Sequence, residues 1–261
     1  MKMRPSRILA RIRAGHVARC AKLNIADPRA VEIVGAAGFD AVWTCMEHVP
    51  NTLHDVENQI RAAKIFDMDT IVRVPRGSYS DLLRPLEMDA AAIMVPHVMG
   101  AADARQVARQ TKFHPVGRRP LDGGGADAGY CALPVPDYIR QANEQRLTIV
   151  QIEDPEPMAE LDEIAAIEGI DMLFFGPGDF SHGLGVPGQV DDPRIDTARR
   201  QVADAARRHG KLAGTVGSVD TFARLVELGY RLINLADDVR GLGQFFTGVM
   251  AAIDDIERRG R

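Results

Sequence analysis

Eight short apolar runs, separated by stretches with helical periodicity, limit this chain to very few folds. The runs are VARCAKL (17–23), AVWTCM (41–46), TIVRV (70–74), AIMVP (92–96), TIVQIE (148–153), MLFFGP (172–177), KLAGTV (211–216) and RLINLA (231–236). They are nearly continuous in apolar residues rather than alternating, as strands buried on both faces must be. Helical patterns fall at 28–37, 52–66, 101–112, 156–167, 193–209, 218–228 and 239–258. Asp27-Pro28 opens the first with an N-cap residue and a proline at the first helical position. The patterns at 193–209 and 218–228 end near Gly210 and Gly229, as helix C-termini often do. Strands alternating with helices imply parallel pairing through right-handed crossovers. A closed barrel and an open doubly wound sheet both satisfy this. The count of eight and the length of 261 residues favour an α/β fold of the (β/α)₈ TIM barrel type in one domain, 1–261.

The part that breaks the pattern is 113–147. It holds GRRPLDGGGADAGY (117–130) and then a helical stretch near 136–146, and a glycine-rich insert of this length often serves function. Composition excludes other classes. With 32 basic against 36 acidic residues the chain has no basic field for nucleic acid, and 5% aromatics leave little for base stacking. No window is apolar for long enough to span a membrane, and the basic N-terminus lacks the apolar core of a secretory signal. Cys20, Cys45 and Cys131 match no zinc or disulfide pattern and read as reduced thiols of a cytoplasmic protein.

In parallel α/β folds the reacting groups gather at the carboxyl ends of strands. The second run ends in Glu47-His48, the third carries Arg73, the fifth ends Gln151-Ile152-Glu153, and the sixth leads through Gly176-Pro177-Gly178 to Asp179. Glu153 and Asp179 come from consecutive strands. Two carboxylates that converge repel each other unless a cation or proton intervenes. An oxygen pair without cysteine suits Mg²⁺ or Mn²⁺, with open positions for water and a chelating substrate. The alternative is that each caps a helix or meets a basic neighbour. Arg73, between Val72 and Val74, needs an anion if buried: a substrate carboxylate, an enolate oxygen, or Glu47 in an internal salt bridge. His48 can act as a general base near neutral pH. The other histidines read as structural, with His97, also at a strand end, a minor candidate. GLGVPG (183–188) satisfies a dinucleotide fingerprint but lies in the wrong turn, with Pro187 inside it. GGG at 123–125 lacks the lysine of a phosphate loop. Lys211 starts its strand, which leaves Lys22 as the one candidate for an imine-forming mechanism.

In order and spacing, GFDAVWTCMEHVPN, IVRVP, IMVPHV, TIVQIEDPE and FFGPGDFSHGLG resemble the segments of the HpcH/HpaI aldolases, class II pyruvate-type aldolases. The resemblance spans roughly 17–240. It implies a (β/α)₈ barrel that assembles as a homo-hexamer, a trimer of dimers that exchange a terminal helix. It implies Mg²⁺, Mn²⁺ or Co²⁺ on Glu153 and Asp179, and a 2-oxo acid on Arg73, Gln151, Gly178 and Asp179 that reacts with an aldehyde. Arg73 then matches the enolate-stabilising arginine, His48 the base, and Glu87 the carboxylate that raises its basicity. Two positions depart from the family pattern: Cys45 stands where an aspartate is common, and Gly178 where alanine is. Relatives with citrate-forming or other lyase chemistry leave the reaction open, as does a non-catalytic keto-acid-binding barrel. Acyl-CoA chemistry would need a phosphate patch, for which Arg118-Arg119 is the candidate. The 117–130 loop is expected to bound the aldehyde pocket.

Overall fold

A computed structural model describes residues 2–259. Its strands are β1 (Ala18–Leu23), β2 (Ala41–Cys45), β3 (Asp69–Arg73), β4 (Ala92–Val95), β5 (Leu147–Ile152), β6 (Met172–Phe175), β7 (Leu212–Val216) and β8 (Leu232–Asp237). Each pairs in parallel with the next, and β8 returns to β1, so the sheet is a closed barrel. The expected (β/α)₈ topology is thus present, and the open sheet is excluded. A register shift between Cys20 and Ala21 of β1 lets the ring close on β8.

The helices are α1 (Arg7–Arg13), α2 (Pro28–Ala36), α3 (Leu53–Ile65), α4 (Tyr79–Glu87), α5 (Ala101–Thr111), α6 (Val135–Gln145), α7 (Leu161–Ala166), α8 (Pro177–Gly183), α9 (Pro193–Arg208), α10 (Phe222–Leu228) and α11 (Asp238–Arg259). Local chemistry starts several of them. Asp27 accepts a hydrogen bond from the Arg29 N–H ahead of α2, and Thr52 with Asp55 forms a reciprocal capping box on α3. Three helices go beyond the sequence reading: α1, α4 and α8. The pattern at 156–167 divides into a 3₁₀ turn at Glu156–Glu160 and α7, and 218–228 shortens to α10.

Alternation along the strands sorts two cores. Cys20, Trp43, Ile71, Met94, Ile149 and Phe174 point inward with Leu232 and fill the barrel. The opposite faces, among them Val72, Val95, Val150 and Leu173, pack under the helices. Helix α1 plugs the amino-terminal end, where Ile8 joins the interior cluster. Buried Asp69 holds that plug by accepting from the Ser6 hydroxyl at 2.6 Å and the Ile8 N–H at 2.9 Å. Among the described residues, that end is closed and the carboxyl-terminal mouth opens into a cavity. Among the described residues no helix is long and apolar enough to cross a membrane.

Candidate active site

Strands β4, β5 and β6 deliver three ligand-type side chains to the mouth. Glu153 follows β5, faces inward and is 1% exposed. Gly176 makes room for it, since a Cβ there would lie 2.7 Å from Glu153 Oε2. Asp179 stands exposed in the first turn of α8. His97 follows β4 with a left-handed backbone (φ 47°), and its N–H donates to Glu153 Oε1 at 3.0 Å. One ligand atom from each of His97, Glu153 and Asp179 lies within 4.8 Å of the others. Burial pushes the Glu153 carboxyl up to about 7, and the nearby Asp179 charge adds to this against the opposing pull of His97. Burial works against a charge on His97, yet Asp154, Glu153 and Glu47 outweigh it and raise its pKa.

Beside this trio, Arg73 ends β3 and is 4% exposed. Its Nε lies 3.0 Å from Glu47 Oε2, so the internal salt bridge that the sequence allowed is present. The guanidinium also reaches Cys45 Sγ at 3.4 and 3.2 Å and stacks 4.8 Å from the Trp43 ring centre. Cys45 Sγ accepts from the His48 N–H at 3.3 Å as well. The thiol thus orders Arg73 and the turn after β2, where a carboxylate would form a salt bridge with Arg73. His48 itself stands at the rim, with its side chain 57% exposed and Nε2 3.6 Å from Glu47 Oε2.

The mouth opens into a cavity of about 920 Å³ that Lys22, Trp43, Arg73, Gln151, Glu153 and Asp179 help to line. Gln151 donates to Glu153 through Nε2, and its Oε1 is buried without a partner. Such an unpaired acceptor is costly unless a ligand or water meets it. Gly178, exposed beside Asp179, has nothing within 4 Å of where its Cβ would stand. Lys22 is half-buried, 5.6 Å from the Trp43 ring centre.

The family model described as HpcH/HpaI aldolase/citrate lyase matches residues 23–242, most of the chain. The chain belongs to the HpcH/HpaI family. The hydroxypyruvate/pyruvate aldolase of Delftia acidovorans is 35% identical over 85% of this chain and 82% of its own length. The 4-hydroxy-2-oxo-heptane-1,7-dioate aldolase of Shigella boydii is 30% identical over 83% of this chain and 82% of its own length. Among solved structures, the citrate synthase SbnG superposes with a TM-score of 0.85 at 28% identity, covering 96% of this chain and 97% of that one.

Of the residues expected from the HpcH/HpaI resemblance, the fold brings Arg73, Gln151, Glu153, Gly178 and Asp179 to one cavity; His48 does not line it and is joined to it through Glu47, which lies against both His48 and Arg73. It does not bring Glu87 to His48 within one chain. Helix α4 runs away from the mouth and Glu87 is its last residue. Burial raises the Glu87 pKa, and its charged neighbours are Arg119, Asp127, Asp122 and Arg84. The 117–130 loop, expected over the aldehyde pocket, packs at this opposite end instead. The Arg118 and Arg119 N–H groups bond the carbonyls of Arg109 and Lys112, at the far end of α5. Arg119 is buried on Asp127 at 2.8 Å and Tyr138 at 3.0 Å, which closes it to a phosphate, while Arg118 is exposed. His97 is the site residue the sequence reading underrated. The signal was its place after Pro96 at the carboxyl end of β4, the same rule that selected His48.

Proposed function

We propose that this HpcH/HpaI protein is a class II aldolase that makes and breaks a carbon–carbon bond between a pyruvate-like 2-oxo acid and an aldehyde. A 4-hydroxy-2-oxo acid is the product. The reading is carried by one observation: two carboxylates, Glu153 and Asp179, converge at the barrel mouth beside buried Arg73. The names of the Delftia and Shigella relatives support it.

The donor set fits a divalent cation such as Mg²⁺, Mn²⁺ or Co²⁺. Glu153 is buried, its carboxyl disfavours a bare charge, and no cysteine competes. Glu153 and Asp179 would hold the ion, which supplies Lewis-acid charge to the keto oxygen. The remaining work falls to side chains. Gln151 and the exposed backbone at Gly178 hold the substrate carboxylate. Arg73 fixes a positive charge where the keto oxygen becomes an enolate oxygen. In cleavage His48 takes the proton of the C4 hydroxyl; the C3–C4 bond breaks, its electron pair passes to the enolate, and the aldehyde leaves. The same imidazole then returns the proton to C3. Since Glu87 stands at the far end of its own barrel, it can assist a His48 only across a subunit boundary. We assign the assembly to a homo-hexamer, a trimer of dimers that exchange α11, on which no side chain is buried, and its setting to the cytoplasm.

The test is pyruvate release from a racemic 4-hydroxy-2-oxo acid, followed by coupled reduction to lactate. Release should stop with EDTA and return with Mg²⁺ or Mn²⁺. Full activity after rigorous chelation would remove the cation from the scheme. The likeness to SbnG supports a second reading, citrate-type condensation. Free thiol released from acetyl-CoA and oxaloacetate would favour it.

A further inference from the structure

We propose that His97 is a third protein ligand of the cation, through Nε2, and that the site therefore prefers a borderline ion such as Mn²⁺ or Co²⁺ over Mg²⁺. This rests on the reading that Glu153 and Asp179 hold a cation.

Three independent features of His97 point the same way. The first is its ring. Nδ1 lies 2.9 Å from Asp154 Oδ2. A neutral imidazole that donates from Nδ1 to a carboxylate keeps its Nε2 lone pair free, the arrangement that orients metal-bound histidines generally. The second is spacing. Nε2 lies 3.8 Å from Glu153 Oε1. Ligand atoms each about 2.1 Å from one ion lie roughly 3 to 4 Å apart. The third is the backbone. A left-handed conformation at a non-glycine residue such as His97 is disfavoured and is kept where the surroundings demand it. Here it goes with an N–H that orients Glu153 Oε1, so one residue both aims a carboxylate by its main chain and faces it with its ring.

The competing arrangement is an imidazolium among carboxylates, since Glu47 Oε1 also lies 3.6 Å from Nε2. In that case His97 supplies the positive charge the trio requires and makes no bond to an ion. The two arrangements differ in metal preference. Carboxylate and water suit Mg²⁺, whereas an imidazole nitrogen raises affinity along the series from Mn²⁺ to Co²⁺.

The test is spectroscopic and needs no turnover. The full-length protein, stripped of metal and loaded with Mn²⁺, should show electron-spin-echo modulation from a directly bound ¹⁴N. The modulation should change on ¹⁵N-histidine labelling, vanish in His97→Gln and persist in His48→Gln. By calorimetry, His97→Gln should lose more affinity for Co²⁺ than the roughly 10- to 100-fold that follows loss of an outer-shell partner, and less for Mg²⁺. Mn²⁺ bound to the wild-type protein without nitrogen modulation would overturn the role of His97 and leave the cation on Glu153 and Asp179. No binding to the wild-type protein, or equal binding by Glu153→Gln, would overturn the cation reading itself.

Discussion

Arg73 is the residue on which charge, burial and geometry agree most fully. Its guanidinium is pinned by Glu47, by Cys45 Sγ and by the Trp43 face, so its position is set before substrate arrives. Arg73→Lys keeps the charge but not the fork. Activity should fall at least about 10²-fold, as when one oxyanion donor is removed, with the loss in kcat rather than KM. An unchanged kcat/KM would make the arginine structural. Proton transfer separates from that step. His48→Ala should slow C3 proton exchange of pyruvate, followed by NMR in D₂O, by about 10²–10⁴-fold. Wild-type exchange would reassign the base. The raised Glu153 pKa gives a sign for pH. Below about 7 an ion entering the site must displace the Glu153 proton, whereas at pH 8 the carboxyl is already ionised. Mn²⁺ binding should therefore release more protons at pH 6 than at pH 8, read by calorimetry in buffers of different ionisation enthalpy. Equal release would contradict the burial that raises Glu153.

Elements were legible in the sequence where period and burial coincide. Strands such as TIVQIE, buried on both faces, read as continuous apolar runs, and their carboxyl ends located Arg73, Gln151, Glu153 and Asp179. Helices α1 and α8 show no such period: α1 lies in the basic amino-terminal stretch, and α8 (PGDFSHG) holds two glycines and a proline in seven residues. Helix α4 carries Pro85 within it. The 117–130 loop misled for another reason: glycine content marks conformational freedom but not which end of a barrel a loop covers. Buried contacts decide that, and Asp127 meets Arg119 and Tyr138 only after α5 and α6 are in place. If the loop is structural, Tyr138→Phe removes a donor to buried Asp127 and should cost about 1–3 kcal/mol in urea denaturation. Mn²⁺ affinity should be unchanged, and a loss of it at undiminished stability would put the loop back at the mouth of its own barrel.

At the scale of the whole molecule, α11 lies outside the packed core. Asp238 anchors its start by accepting from the Asn24 and Ile25 N–H groups. Beyond that the helix runs out to Arg259 with no buried residue, and Phe245 and Ile256 are 65% and 66% exposed. Its 22 residues span about 33 Å, and an apolar surface of that length is rarely left in water. A second copy that offers the same helix covers both at once, since a two-fold interface is self-complementary. Phe245→Glu combined with Met250→Glu should split the assembly into smaller species in sedimentation velocity. An unchanged mass, or a monomeric wild-type protein, would show that α11 joins nothing. Glu87 lies too far along its own barrel to serve its own His48. If a neighbouring copy supplies it, the split variant should bind Mn²⁺ as the wild type does yet exchange the C3 proton more slowly. Exchange at the wild-type rate in separated copies would leave each His48 to work with Glu47 alone, the one carboxylate within 4.0 Å of its ring among the described residues.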